Sequence, residues 1–126
     1  MKNNDLENRG IKAAKKYLTN RGYEVIETEW ECESGVADII AIDPESDALV
    51  FCEVKTRESV ENGFPSESNC SEKRDRCERI ALSFLAENVY TDRRIRFDSI
   101  SLIVMDSNRA LLRHHIDAFS GGSLIE

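Results

Sequence analysis

Three stretches in immediate succession constrain this chain more than anything else in it: "YEVIETEWE" from Tyr23, "VADIIAID" from Val36 and "ALVFCEVKT" from Ala48. The first has the β-branched and aromatic content of a strand, the second and third are richer in apolar residues, and the short turns "CESG" and "PESD" separate them. Strands joined by so few residues pair antiparallel, because a parallel return needs a crossover of a dozen residues or more. The expectation is an antiparallel meander. Ahead of it, Leu6, Ala13, Ala14, Tyr17 and Leu18 recur at helical spacing from about Asp5 to Arg21, and Gly22 is placed to cap that helix.

Beyond the meander, residues 57–71 form the one long polar connection, of a length associated with substrate-facing loops and equally with plain disorder. "SEKRDRCERIALSFLAEN" then reads as a second helix. Cys77, Ile80, Ala81, Phe84 and Leu85 make its apolar stripe, and Lys73, Arg76 and Arg79 a basic one. "RFDSISLIVMD" and "ALLRHHI" supply two further strands, and "DAFSGGSLIE" a short turn fading into a tail. The fold class is therefore α/β, a central mixed sheet of five strands flanked by helices. A chain of 126 residues fits one such domain.

The charge balance of −7 argues against non-specific coating of nucleic acid, which depends on Lys and Arg displacing counterions, but leaves room for a local basic patch. "MKNNDLENRG" has no apolar signal core and runs such as "LIVM" are too short to span a bilayer, so no membrane role and a cytoplasmic location are expected. Cys32, Cys52, Cys70 and Cys77 show neither C-x-x-C pairing nor matching histidine spacing. They read as reduced structural thiols.

In "FCEVKTR", Glu53 and Lys55 alternate with Val54 and so share one strand face, ~6–7 Å apart. Asp38 lies among Ala37, Ile39 and Ile40, where an ionised carboxylate is costly unless paired or bound to a cation. If the hairpin brings these three together, two carboxylates and a backbone carbonyl such as that of Val54 suit a hard ion like Mg²⁺, with Lys55 steadying a water or a developing charge. Spacing alone equally describes a solvated strand face or a cross-strand ion pair.

The run "RGIKAAKKYLTNRGYEVIE", then "GVADIIAID", "LVFCEVKTR", "NGFP", Lys73, "RFDSI" and "HIDAF" resembles the YraN-like family of small bacterial proteins in order and spacing, over about Gly10 to Phe119. That family looks like a branch of the PD-(D/E)XK nuclease superfamily, similar to Holliday-junction resolvases. The resemblance implies a restriction-endonuclease-like core as a single domain over residues 1–119, followed by a flexible tail at 120–126. It implies a Mg²⁺-dependent endonuclease, with Mn²⁺ as a substitute, acting on DNA of structured or branched form. Asp38 and Glu53 would be the metal ligands and Asp38, Glu53 and Lys55 the catalytic set. Read from the residues themselves, the basic stripe at Lys73, Arg76 and Arg79 is either a nucleic-acid contact surface or a solvated charge face.

Two positions depart from the family pattern. Ile11 stands where a glutamate is expected, and "GVAD" puts Val36 at a second acidic position. Glu7, one helical turn before Ile11, is a partial remedy. The alternative is a nuclease-fold module that binds nucleic acid or a protein partner with little or no catalysis. Arg93, Arg94 and Arg96 could extend a phosphate patch, Trp30 reads as a packing anchor, and His114 and His115 receive no role. The oligomeric state is left open, a homodimer included.

Overall fold

The computed structural model describes residues 2–58, 71–88, 93–106 and 109–118. Helix α1 (Lys2–Asn20) is followed by strands β1 (Glu24–Cys32), β2 (Gly35–Ile42) and β3 (Leu49–Arg57), helix α2 (Ser71–Glu87), and strands β4 (Ile95–Val104) and β5 (Ala110–His115). The sheet order is β1-β2-β3-β4-β5. The expected meander is present, since β1 pairs β2 and β2 pairs β3 antiparallel. The chain then crosses through α2 to lay β4 parallel to β3, and β5 returns antiparallel to β4. The sheet is mixed and five-stranded, as the sequence indicated.

The two helices cover opposite faces. Ala14 and Leu18 of α1 pack on Ile39, Ala41, Val50, Cys52, Ile100 and Leu102, whereas Ile80, Ala81 and Phe84 of α2 pack on Ile40, Ile42, Leu49, Phe51 and Phe97. Burial from both sides is why β2 and β3 read as near-continuous apolar runs instead of alternating ones. In β3 the run ends sharply: Leu49 to Cys52 are buried and Glu53 to Thr56 only half-buried. The sheet thus leaves its core where the charged letters begin.

Helix α1 closes as expected. Gly22 takes φ +91°, and the N–H groups of Tyr23 and Gly22 donate to the carbonyls of Leu18 and Thr19 at 3.0 Å each, the paired bonds of a glycine C-cap. A second glycine has a packing role that the sequence reading missed. A β-carbon on Gly10 would lie 2.0 Å from Thr56 Oγ1, so the absence of a side chain there lets α1 approach β3 beside Lys55.

Trp30 packs edge-to-face on Phe84 at 5.2 Å between centroids, which is the anchoring role expected of it. Arg96 corrects an expectation. It does not join a surface phosphate patch: its guanidinium is bonded to Asp98 through Nε and Nη2 at 2.9 Å each, to Asp43 at 2.7 Å and to the Tyr23 hydroxyl at 3.0 Å. Arg93 is bound to Asp47 at 2.5 Å. The long connection at 59–70, Cys70 and the tail at 120–126 lie outside the described residues, so the domain limits drawn from the sequence stay expectations.

Candidate functional site

Asp38 sits at an irregularity in the sheet. The β1–β2 ladder runs Thr28↔Ile39 and Trp30↔Ala37, and between those pairs Glu29 adopts φ +53°, a left-handed backbone rare for a residue with a side chain. Across the same point β2 changes face. Ile39 belongs to the α1-side core and Ala37, two residues earlier, to the α2-side core, although strict alternation would keep them together. The β2–β3 ladder stops at Ile39↔Cys52. Two residues past Cys52, the Val54 N–H donates to Asp38 Oδ2 at 2.8 Å, so a side chain supplies the acceptor where the backbone ladder has ended.

That position leaves Asp38 in both cavities that flank the fork. The α2-side cavity, about 150 Å³, is lined by Asp38 and Glu53 together with Lys73, Arg76 and Ser99. The α1-side groove, about 630 Å³, holds Asp38 with Lys55, Val54, Glu7, Glu29 and Ile11. Val36 lies in the wall common to the two, 48% exposed. The two apolar residues found where acids were expected, Ile11 and Val36, therefore both border the space around Asp38.

Burial pushes the Asp38 carboxyl up to about 6, against the pull of the Val54 N–H, with the negative charges of Glu53, Glu7 and Glu29 adding to the rise. Glu53 is held differently. Its Oε1 receives Lys73 Nζ at 2.6 Å, the lysine side chain being 13% exposed and the glutamate 35%. Burial alone would lower the Lys73 amine, but the bond and attraction of Glu53 outweigh it and raise it. Lys73 had been expected on a solvated basic face with Arg76 and Arg79. Instead it continues the line of Cys77, Ile80 and Phe84 toward the sheet, while Arg79 stays exposed.

Two carboxylates from neighbouring strands meet in one cavity, one of them pushed toward protonation by its surroundings and the other already bound to a cationic amine. Among the described residues no group of three or more His, Cys, Asp or Glu is arranged to hold a metal. One or two carboxylates are what Mg²⁺ often takes from a protein, with water and substrate phosphate completing its shell, whereas a structural zinc site takes four protein ligands.

The sequence reading missed a second polar cluster. Asp98, with a side chain of 0% exposure, accepts from Arg96, from the Asp117 N–H at 2.9 Å and lies 2.8 Å from His114 Nε2; His114 Nδ1 lies 2.9 Å from Tyr17 Oη. The signal was present, because Arg96 and Asp98 in "RFD" have the spacing that singled out Glu53 and Lys55. Ser99 and Ser101, in register with Glu53 and Lys55, are buried, and their hydroxyls have no hydrogen-bond partner among the described residues.

Residues 11–102 match the family described as Uncharacterised protein family UPF0102. The chain is 33% identical over 117 residues to a UPF0102 protein of Pelobacter propionicus, covering 93% of this chain and 84% of that one. It is 36% identical over 105 residues to one from Nocardia farcinica, covering 83% and 81%, and 36% identical over 110 residues to one from Rhodococcus opacus, covering 87% and 92%. The chain belongs to the UPF0102 family, in agreement with the YraN-like resemblance of its motifs.

Proposed function

We propose that this UPF0102 protein is a Mg²⁺-dependent endonuclease that hydrolyses DNA phosphodiester bonds, with structured or branched DNA as its substrate. The observation that carries the reading is the meeting of Asp38 and Glu53 in one cavity where β3 leaves the core, with Lys73 bonded to Glu53 and Lys55 in the groove that Asp38 also lines. Asp38 and Glu53 would hold the ion, with the Val54 carbonyl as a further oxygen donor. When bound, Mg²⁺ polarises the phosphoryl oxygen and lowers the pKa of the attacking water.

The chain's own residues account for the remaining steps. The Val54 N–H fixes one oxygen of Asp38 and so orients the other. Lys55 would steady the water and the negative charge that builds on the phosphoryl oxygens as the water's oxygen bonds to phosphorus and the ester P–O bond breaks, the proton lost by the water being balanced by one gained by the leaving oxygen. Arg76 at the mouth of the α2-side cavity meets the phosphate backbone. The branched substrate rests on the likeness to resolvases alone.

One observation favours the second reading, a nuclease-fold binding module: Ile11 and Val36 border the space around Asp38 and put apolar surface where further acids would strengthen an ion site. The two readings separate by experiment. Calorimetric titration with Mn²⁺, followed by incubation of linear, flapped and four-way-junction DNA with Mg²⁺, is expected to show metal binding lost in Asp38→Ala and cleavage lost in Lys55→Ala. Metal binding without cleavage of any substrate selects the binding module. No metal binding by the native protein removes the nuclease reading.

A further inference from the structure

We propose that Lys73 is a built-in counter-ion of Glu53 that a divalent cation must displace, and that the displaced lysine becomes a phosphate contact, so that metal and DNA binding assist each other. This rests on the reading of Asp38 and Glu53 as ion ligands and deepens it.

The geometry carries the inference in two steps. Lys73 Nζ is 2.6 Å from Glu53 Oε1, so the ammonium occupies the direction from which that oxygen would bind an ion. A carboxylate oxygen binds Mg²⁺ at about 2.0–2.1 Å, too close to leave an ammonium on the same atom without strong like-charge repulsion. A divalent ion on that oxygen would therefore set two cationic centres on one carboxylate oxygen, and the lysine is the one that withdraws.

Lys73 can withdraw without disturbing the sheet, because it comes from another element, the first turn of α2, on a long stem with several rotatable bonds. Its neighbour on the helix one turn on, Arg76, lines the same cavity with its stem packed near Gly35. An amine released from Glu53 would stand beside that guanidinium at the mouth, where the two form a paired phosphate contact. While no ion is bound, the same lysine keeps Glu53 neutralised and its rotamer fixed.

By thermodynamic reciprocity, whatever lifts Lys73 from Glu53 favours both ligands, and such couplings amount to about 5- to 150-fold in affinity. The test is calorimetric titration of Mn²⁺ into the native protein, Lys73→Met, Lys73→Arg and Asp38→Ala. Lys73→Gln serves as a second neutral variant, and circular dichroism and melting identify the folded variants. A parallel measurement follows binding of a labelled four-way DNA junction with and without Ca²⁺.

The expected result is that Lys73→Met or Lys73→Gln binds Mn²⁺ at least about tenfold more tightly than the native protein, while Lys73→Arg does not. Ca²⁺ should tighten junction binding by the native protein and lose that effect in the neutral variants. Binding of Mn²⁺ by a neutral variant but not by the native protein also supports displacement. Equal or weaker Mn²⁺ binding by the neutral variants, with native binding abolished by Asp38→Ala, overturns the role of Lys73 and leaves the ion site standing. Absence of Mn²⁺ binding in native and neutral variants alike overturns both.

Discussion

Asp38 holds a carboxyl group where burial disfavours its charge, and the consequence for stability has a definite sign. Its folded pKa, about 6, lies above the ordinary 3.8. Between those values the native state binds the proton more tightly than the unfolded chain does. The stabilisation is fully present below about pH 3.8 and is lost as pH rises through about 6. Asp38→Asn keeps an oxygen to accept from the Val54 N–H and removes the charge. It should therefore raise stability at pH 7 by about 1–3 kcal/mol, the upper figure being the whole shift, and change little at pH 4, as read by urea unfolding at the two pH values. A variant less stable than the native protein at pH 7 would count against a desolvated carboxylate. Such a residue keeps a carboxyl group between two cavities at a cost in folding stability.

The elements were more legible than the contacts between them. Both helices, the meander and the two later strands could be read from apolar content and period, because each depends on its own letters and the covering helices bury whole runs of β2 and β3. The kink that turns Asp38 into the fork was not legible, since it arises from pairing across β1, β2 and β3 and from the left-handed turn at Glu29. Lys73 was misread for another reason: its position continued the apolar stripe of α2, but its charge assigned it to the outer face, and only Glu53 on a distant strand makes the inward direction favourable. Gly10 belongs to the same class, a helix-weakening residue explained by β3. Gly10→Ala should gain up to about 1 kcal/mol of helix propensity and lose about 1–3 kcal/mol to the overlap with Thr56 Oγ1. The net outcome is a lower denaturation midpoint, restored in part when Thr56→Ala removes that hydroxyl. An additive pair of effects would show that α1 does not press on β3 there.

At the scale of the molecule, Arg96 ties β4 to Asp43 beyond the end of β2 and to the α1 face through Tyr23, and it neutralises two acids buried within an already acidic chain. Burial alone would raise both carboxyls. Hydrogen bonds from Arg96 and the Glu45 N–H instead hold Asp43 down to about 2, and bonds from His114 and Arg96 hold Asp98 below the usual range. Lowered folded values act in the opposite sense to Asp38: their stabilisation is present above the ordinary carboxylate pKa and is lost as pH falls through the folded values. Arg96→Met should cost about 3–5 kcal/mol at pH 7 by leaving Asp98 charged and without its guanidinium, and less at pH 3, where the unpaired acids can take up protons. Thermal unfolding at both pH values measures the difference, and an equal loss at the two would assign the effect to packing alone. The contact between Trp30 and Phe84 adds an optical consequence to this architecture. The chain contains one tryptophan, and its indole stands against α2, the helix that carries Lys73. With excitation beyond the absorption of its three tyrosines, the emission has a single origin and looks at the seam between the hairpin and that helix, so a rearrangement of α2 against β1 is read in an unlabelled protein.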